Sequence, residues 1–214
     1  MTDSALASQI TGVVLAGGRA VRMGGVDKGL QVFQGQTLIE HALQRLRPQV
    51  AHVGINANRH LDQYQNVGCP VWPDATSDFS GPLAGFAVGL SHCQTPYLLT
   101  VPCDTPFFPL DLASRLASAL TQAQTDIAMV VAAETDEQNQ TQWRTQPVFC
   151  LLKTELLPSL QTFMQAGGRK IDAWTAQHPC TNVRFDAPHD HPQAFFNINT
   201  LQQLQALESP LTRP

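Results

Sequence analysis

Residues Ile10 to Ala16, ITGVVLA, form a short run rich in β-branched side chains that stops at Gly17-Gly18. A run of this length bounded by glycines reads as a buried strand. The segment after it, Gly17 to Gly29, is rich in glycine and carries Arg19, Arg22 and Lys28. A buried strand needs partners on both sides. The basic loop must therefore lie at its carboxyl end, on the edge of a sheet.

The rest of the chain supplies those partners. Thr37 and Glu40 have the spacing of a capping box. Ile39, Ala42, Leu43 and Leu46 then recur at helical spacing up to Pro48. Val50 to Ile55 and Val71-Trp72 read as strands, ending at Asn56 and near Asp74. Gly81 to Gly89 opens a helix. Tyr97 to Val101 is a further strand, with Asp104 just past its end. Pro109 opens a helix carrying Leu112, Leu116 and Leu120. Ile127 to Ala132 and Val148 to Leu152 are strands, and the polar stretch Glu134 to Gln142 reads as a loop. Thr154 is expected to cap a helix with Leu157, Leu160 and Met164, stopped by Gly167-Gly168. Phe195 to Ile198 reads as a late strand, before a helix through Leu201, Leu204 and Leu207. Alternating strands and helices imply an α/β layered domain with a mostly parallel sheet.

Composition narrows the classes of function. The formal net charge is −4, with 13 Lys and Arg among 214 residues, which argues against a general nucleic-acid binder. Cys69, Cys93, Cys103, Cys150 and Cys180 are odd in number and include no C-x-x-C pair, which suits a reducing cytosol. His189 and His191 flank Asp190 in a loop and read as polar surface rather than metal ligands. Met1 to Gln9 lacks a basic leader region, and no apolar run approaches the roughly 20 residues of a membrane span. A cytoplasmic protein with no membrane partner is expected.

In parallel sheets ligands bind outside the carboxyl ends of the strands. Four polar features fall there: the Gly17 to Lys28 loop, Asn56, Asp74 and Asp104. Glycine N–H groups approach phosphate oxygens without a Cβ in the way, and Arg19, Arg22 and Lys28 add charge, so the loop suits a polyphosphate. It is neither a Walker loop nor G-x-G-x-x-G. Asp104 can hold Mg²⁺ against phosphates, or cap a turn. Asp74 can accept hydrogen bonds from a ribose or a base amine. Asn56 can read a base or sugar, or form an Asx-turn. Asp78 reads as a turn or capping residue. Asn197 and Asn199 have period-two spacing and can share one face of a strand, although Asn199 or Thr200 equally suits the cap of the next helix. Arg169-Lys170 can clamp a second anionic substrate or form a charged helix start. Trp143-Arg144 can border a flat ligand or lie in an exposed loop.

The motifs L-A-G-G-R-A-V-R-M-G-G-V-D-K-G-L, N-A-N-R-H, P-D-A-T-S-D-F-S-G-P-L-A-G and P-C-D-T-P-F resemble the molybdenum cofactor guanylyltransferase family, within the nucleotidyltransferase superfamily. Looser matches follow Phe107: Q-P-V-F, A-G-G-R-K and F-F-N-I-N-T, the last continuing with Leu201 where the family often has Pro. The resemblance implies a single Rossmann-like three-layer domain of the nucleotide-diphospho-sugar transferase type over residues 1–214. Within it, residues 1–107 would be the nucleotide-binding half and residues 108–214 the second-substrate half.

The implied reaction moves GMP from Mg-GTP to the terminal phosphate of molybdenum-bearing molybdopterin and releases pyrophosphate. Carried over by motif, Leu15, Ala16, Gly17, Lys28, Asn56, Asp74 and Asp104 contact the nucleotide, and Asp104 holds Mg²⁺. Arg22, Lys28 and Asp104 are the expected catalytic residues. Asn197, Asn199, Arg169 and Lys170 are the candidates for the second substrate. Cofactor-delivery proteins and molybdoenzymes are the implied partners. Two rival readings stay open: a related nucleotidyltransferase using CTP or acting on a sugar phosphate, and a nucleotide-binding regulatory protein without catalysis.

Overall fold

The computed structural model describes residues 6–18, 27–75, 81–135, 140–191 and 193–208. Nine strands are formed among them: β1 (Ile10–Leu15), β2 (Val32–Phe33), β3 (Gln36–Thr37), β4 (His52–Asn56), β5 (Val71–Trp72), β6 (Tyr97–Pro102), β7 (Ile127–Thr135), β8 (Thr141–Lys153) and β9 (Cys180–Arg184). The helices among these residues are α1 (Leu38–Leu46), α2 (Leu61–Gln65), α3 (Pro82–His92), α4 (Leu112–Ala123), α5 (Leu157–Gln165), α6 (Ile171–Thr175) and α7 (Leu201–Glu208).

Seven strands make one sheet in the order β5-β4-β1-β6-β8-β7-β9, while β2 and β3 form a separate small hairpin. The pairs β1–β4, β1–β6, β4–β5 and β7–β9 are parallel. β8 alone runs against its neighbours β6 and β7. The sheet is thus mostly parallel, as the alternation of elements predicts.

Two hydrophobic layers bury the sheet. On one side Ile10, Val14, Leu99 and Val101 pack with Ile39, Leu43 and Leu46 of α1 and with Leu112, Leu116 and Leu120 of α4. On the other, Val13, Leu98 and Leu152 pack with Leu83, Phe86 and Leu90 of α3, Leu160 of α5 and Trp174 of α6. Alternate residues of one strand face opposite layers, so Val13 and Val14 of the first apolar run serve both. Helices on both faces of the sheet give three layers.

Local signals act as expected at several ends. The Glu40 carboxylate accepts hydrogen bonds from the Thr37 N–H (2.7 Å) and hydroxyl (2.6 Å) at the start of α1. Gly168 N–H donates to the Phe163 carbonyl (2.9 Å) where α5 ends. Pro82 occupies the first turn of α3.

Three expectations are corrected. Phe195 to Ile198 is not a strand: Phe195 packs edge-on against Phe149 and Phe185, and Ile198 donates its N–H to the Asp104 carbonyl. Its apolar residues are spent on tertiary packing rather than on a ladder. Thr154 does not cap α5, because its hydroxyl donates to the Thr95 carbonyl (2.7 Å) and a short 3-10 turn, Thr154–Leu156, comes first. Both ends of Glu134 to Gln142 are strand rather than loop: β7 runs on to Thr135, and β8 begins at Thr141 directly opposite it, while residues 136–139 lie outside the described residues. All five cysteines are free, and no helix of the described residues is long and apolar enough to cross a membrane.

Candidate active site

The register of the parallel strands places their carboxyl ends in one row. Trp72 pairs with Asn56, Asn56 with Leu15, and Leu15 with Pro102. Asp74, Asn58, Ala16-Gly17 and Asp104 follow just beyond that row. Three strand gaps separate β5 from β6, or about 14 Å at the usual spacing. The sites expected from sequence therefore line one edge of the sheet.

At the β4–β5 end the polar side chains hold one another. Asn56 is buried, and its Nδ2 donates to the Trp72 carbonyl (3.0 Å) and to Asp74 Oδ1 (2.8 Å). Asn58 Nδ2 donates to Asp74 Oδ2 (2.8 Å), while Asn58 Oδ1 accepts the Asp74 N–H (2.7 Å). Asn56 is thus committed to Asp74 rather than to an Asx-turn. The Asn56 carbonyl also accepts the Ala16 N–H (2.8 Å), which fixes the exit of β1 beside this cluster. Gly85 of α3 permits the arrangement. A Cβ there would lie 2.6 Å from Asn56 Oδ1 and 2.7 Å from Leu15 Cδ2.

At the β1–β6 end stands an ion pair. Lys28 Nζ donates to Asp104 Oδ2 at 2.9 Å and to Asn199 Oδ1 at 2.7 Å. The Lys28 and Asp104 side chains are 24% and 17% exposed, so the pair is sheltered yet reachable. The Asp104 carboxylate does not cap its own turn. Its carbonyl accepts the Ile198 N–H (2.8 Å), and the Thr105 hydroxyl meets Asn197 Oδ1 at 2.6 Å. The segment carrying Asn197 and Asn199 is therefore strapped across the Asp104–Thr105 turn. Thr200, not Asn199, caps α7: its hydroxyl accepts the Gln203 N–H (3.1 Å). Gln203 Oε1 in turn accepts the N–H groups of Asn199 and Thr200.

Not every expected residue joins this group. Arg19, Arg22 and Asp78 lie outside the described residues. Arg169 folds back on the end of α5, its Nη1 donating to the Met164 and Gly168 carbonyls, and Lys170 sits at the start of α6. Among the described residues neither touches the Lys28–Asp104–Asn199 group. Trp143 is half exposed and lies on β8, with the Arg184 guanidinium 3.9 Å from its ring centre.

Several participants escape a reading of sequence. Asn58 shares N-A-N-R-H with Asn56, and its spacing was the available signal. Arg59, in the same motif, donates to the Gly18 carbonyl (3.1 Å). Asp27 is buried, and Tyr64 is fully buried with its hydroxyl 2.5 Å from Asp27 Oδ1. Burial above all, then the negative neighbours that include Asp27, push the Tyr64 hydroxyl far above its ordinary pKa. The neutral hydroxyl is consequently the donor.

Burial likewise pushes the Cys103 thiol upward, with the Asp104 and Asp27 charges adding to it, so this cysteine beside the site is an inert thiol rather than a nucleophile. The site offers a cation, a carboxylate and a row of backbone groups. It can bind and orient phosphates and offset their charge.

Against known proteins, the model of the MobA-like NTP transferase domain matches residues 12–183. The chain belongs to this family. A relative among the MobA-like transferases, the molybdenum cofactor guanylyltransferase of Acidovorax ebreus (strain TPSY), is 62% identical over 200 residues, spanning 93% of this chain and 95% of the relative. Molybdopterin-guanine dinucleotide biosynthesis protein A from Archaeoglobus fulgidus superposes with a TM-score of 0.72 at 20% identity, over 92% of this chain and 96% of its own. The 4-diphosphocytidyl-2C-methyl-D-erythritolsynthase of Anaerococcus prevotii DSM 20548 also gives 0.72, at 12% identity over 98% of this chain and 99% of its own. These two structures share the fold. Membership of the MobA-like family makes the chain a nucleotidyltransferase.

Proposed function

We propose that this chain transfers GMP from Mg-GTP to the terminal phosphate of molybdenum-molybdopterin, forming its guanine dinucleotide and releasing pyrophosphate. The observation that carries the reading is the Lys28–Asp104 pair at the carboxyl ends of β1 and β6, in a chain 62% identical to a molybdenum cofactor guanylyltransferase. In this reading the base and ribose lie toward Asn56 and Asp74. The phosphates lie toward the backbone of Leu15, Ala16 and Gly17 and toward Arg22, Lys28 and Asp104. Residues 1–107 are then the nucleotide half and 108–214 the acceptor half, with Asn197, Asn199, Arg169 and Lys170 assigned to the acceptor.

A phosphate oxygen of the pterin attacks the α-phosphorus of GTP. The new P–O bond forms as the bond between the α-phosphorus and its bridging oxygen breaks, and pyrophosphate leaves with the electron pair. A phosphate monoester is already anionic near neutral pH, so the chain need supply no strong base. Positioning and charge stabilisation remain as its task. Lys28 has three N–H donors and spends two of them on Asp104 and Asn199. Exchanging those partners for phosphate oxygens places its charge on the transferred and leaving groups.

The residues fit a divalent cation of the kind shared with substrate. Asp104 Oδ1 takes no hydrogen bond among the described residues, and one carboxylate together with phosphate oxygens is a ligand set Mg²⁺ accepts. Mg²⁺ bound there would neutralise developing negative charge on the phosphates. The reading also places the protein in the cytoplasm, in contact with proteins that deliver molybdopterin and molybdoenzymes that receive the product.

The test compares GTP, ATP, CTP and UTP, each with Mg²⁺, by the shift in thermal unfolding, and then follows pyrophosphate release with the pterin acceptor. GTP-selective stabilisation with release dependent on the acceptor is expected. Selectivity for CTP or UTP, or binding without release, refutes the proposal.

A further inference from the structure

Lys28 reaches its partners from a single 3-10 turn, Lys28–Leu30, and that turn is held from behind. Asp27 caps it, with Oδ1 accepting the Gly29 N–H at 3.2 Å. The same oxygen accepts the Tyr64 hydroxyl at 2.5 Å. Gln31 Nε2 closes the turn on the Asp27 carbonyl at 3.1 Å. Residue 29 can only be glycine here, because a Cβ would run into the Tyr64 hydroxyl. Tyr64 is the one fully buried residue of the short helix α2, whose Leu61 is partly buried beside it against the core. Asp27 is itself 7% exposed. A hydroxyl thus reaches a buried carboxylate that caps the turn bearing the cation of the site.

We infer that Tyr64 is a positioning residue for Lys28, acting through the Asp27 carboxylate that caps its turn. The Tyr64 hydroxyl bonds Asp27 rather than Lys28, Asp104 or Asn199. Its hydroxyl fixes Asp27, Asp27 fixes the turn, and the turn aims Nζ at Asp104 and Asn199. Displacements of about 1 Å at a reacting group can cost a hundredfold in rate. Removing the hydroxyl should therefore act on kcat well before it acts on nucleotide binding.

Two variants and two readouts test this. Tyr64→Phe keeps the ring and removes the donor. Asp27→Ala removes the acceptor and keeps the hydroxyl. The first readout needs no substrate: the rate at which a small amine-reactive reagent labels Lys28, followed by peptide mass spectrometry, with Lys153 as internal control. Lys153 is held at 2.7 Å by Asp126, far from this turn in sequence. Both variants should label Lys28 roughly tenfold faster, as expected when a hydrogen bond to a charged group is lost, and Lys153 at the wild-type rate.

The second readout rests on the guanylyl-transfer reading. Tyr64→Phe should lower kcat roughly 10- to 100-fold with the KM for GTP changed less than about threefold. In a Lys28→Ala background it should lower kcat no further, because a residue acting through Lys28 has nothing left to position. Wild-type Lys28 labelling in either folded variant overturns the inference, as does full multiplication of the two kinetic effects. If wild-type protein does not transfer GMP, the functional reading fails and labelling alone decides the role of Tyr64.

Discussion

Substituting Gly85 by Ala asks whether the close packing of α3 on the sheet edge holds Asn56 in place. The new methyl would sit 2.6 Å from Asn56 Oδ1, 3.2 Å from its Cγ and 2.7 Å from Leu15 Cδ2. Asn56 cannot swing aside freely, because its amide is buried and bonded to both Trp72 and Asp74. Relief must come from α3 shifting or from those bonds lengthening, and overpacking of this kind costs about 1–3 kcal/mol. At about 2.1 cal/mol/K per residue, unfolding 214 residues carries an entropy near 0.45 kcal/mol/K, so Tm should fall by about 2–7 °C.

Nucleotide binding should weaken as well. Losing one neutral hydrogen bond from the displaced amide costs about 0.5–1.5 kcal/mol, or roughly three- to tenfold in Kd. The assay is thermal unfolding with and without Mg-GTP. At a concentration about 100 times the wild-type Kd, GTP adds about 2.7 kcal/mol. A tenfold weaker variant gains about half of that at the same concentration. Wild-type Tm and wild-type GTP stabilisation in Gly85→Ala would refute the argument that α3 fixes Asn56.

Lys28→Ala should lower kcat roughly 10²–10³-fold, as loss of a preorganised donor to developing charge does, measured by pyrophosphate release. Asp104→Asn should fold with a Tm near wild type and lose the dependence of GTP stabilisation on Mg²⁺, read by adding a chelator before unfolding. Burial opposes ionisation of Asp190, but the Arg115 guanidinium at 2.7 Å and the Ala187 N–H hold its carboxyl below the usual range. Its contribution to stability is then complete above about pH 4, the unfolded carboxylate pKa, and is lost as pH falls through the lower folded value. Asp190→Asn should accordingly lose less stability than wild type between neutral pH and pH 3, measured by thermal unfolding across that range.

The sheet edge was legible because β1, β4, β5 and β6 are apolar runs whose ends carry their own polar markers. The antiparallel β8 and the shift in its register against β7 between Met129 and Val130 were not, since neither strand direction nor register is written in local pattern. β9 was missed because C-T-N-V-R mixes polar and apolar residues at the sheet border, where little side-chain surface is buried. α2, L-D-Q-Y-Q, buries only Tyr64, so no helical stripe exists to be read. The reading of Phe195 to Ile198 as a strand failed for the opposite reason: apolar residues were present but packed against distant rings.

The placement of Lys28, Asp104 and Asn56 along the sheet edge could be anticipated from residue type and position. The pairings of Asn58 with Asp74, Asn199 with Lys28 and Tyr64 with Asp27 are set by approaches between segments far apart in the chain. Thr154 shows the same limit in small: a good local cap whose hydroxyl is taken by Thr95.

Lys28 and Asn199 are bonded across 171 positions of sequence. During synthesis the N-terminal end appears first, so β1 and the basic loop exist on the ribosome long before Asn197 and Asn199 have been added. β1, β4, β6, Lys28 and Asp104 all precede that strap in the chain, so its bond to Lys28 is the last of these contacts to become available. The completed lysine geometry thus certifies a chain that has been made and folded as far as Asn199.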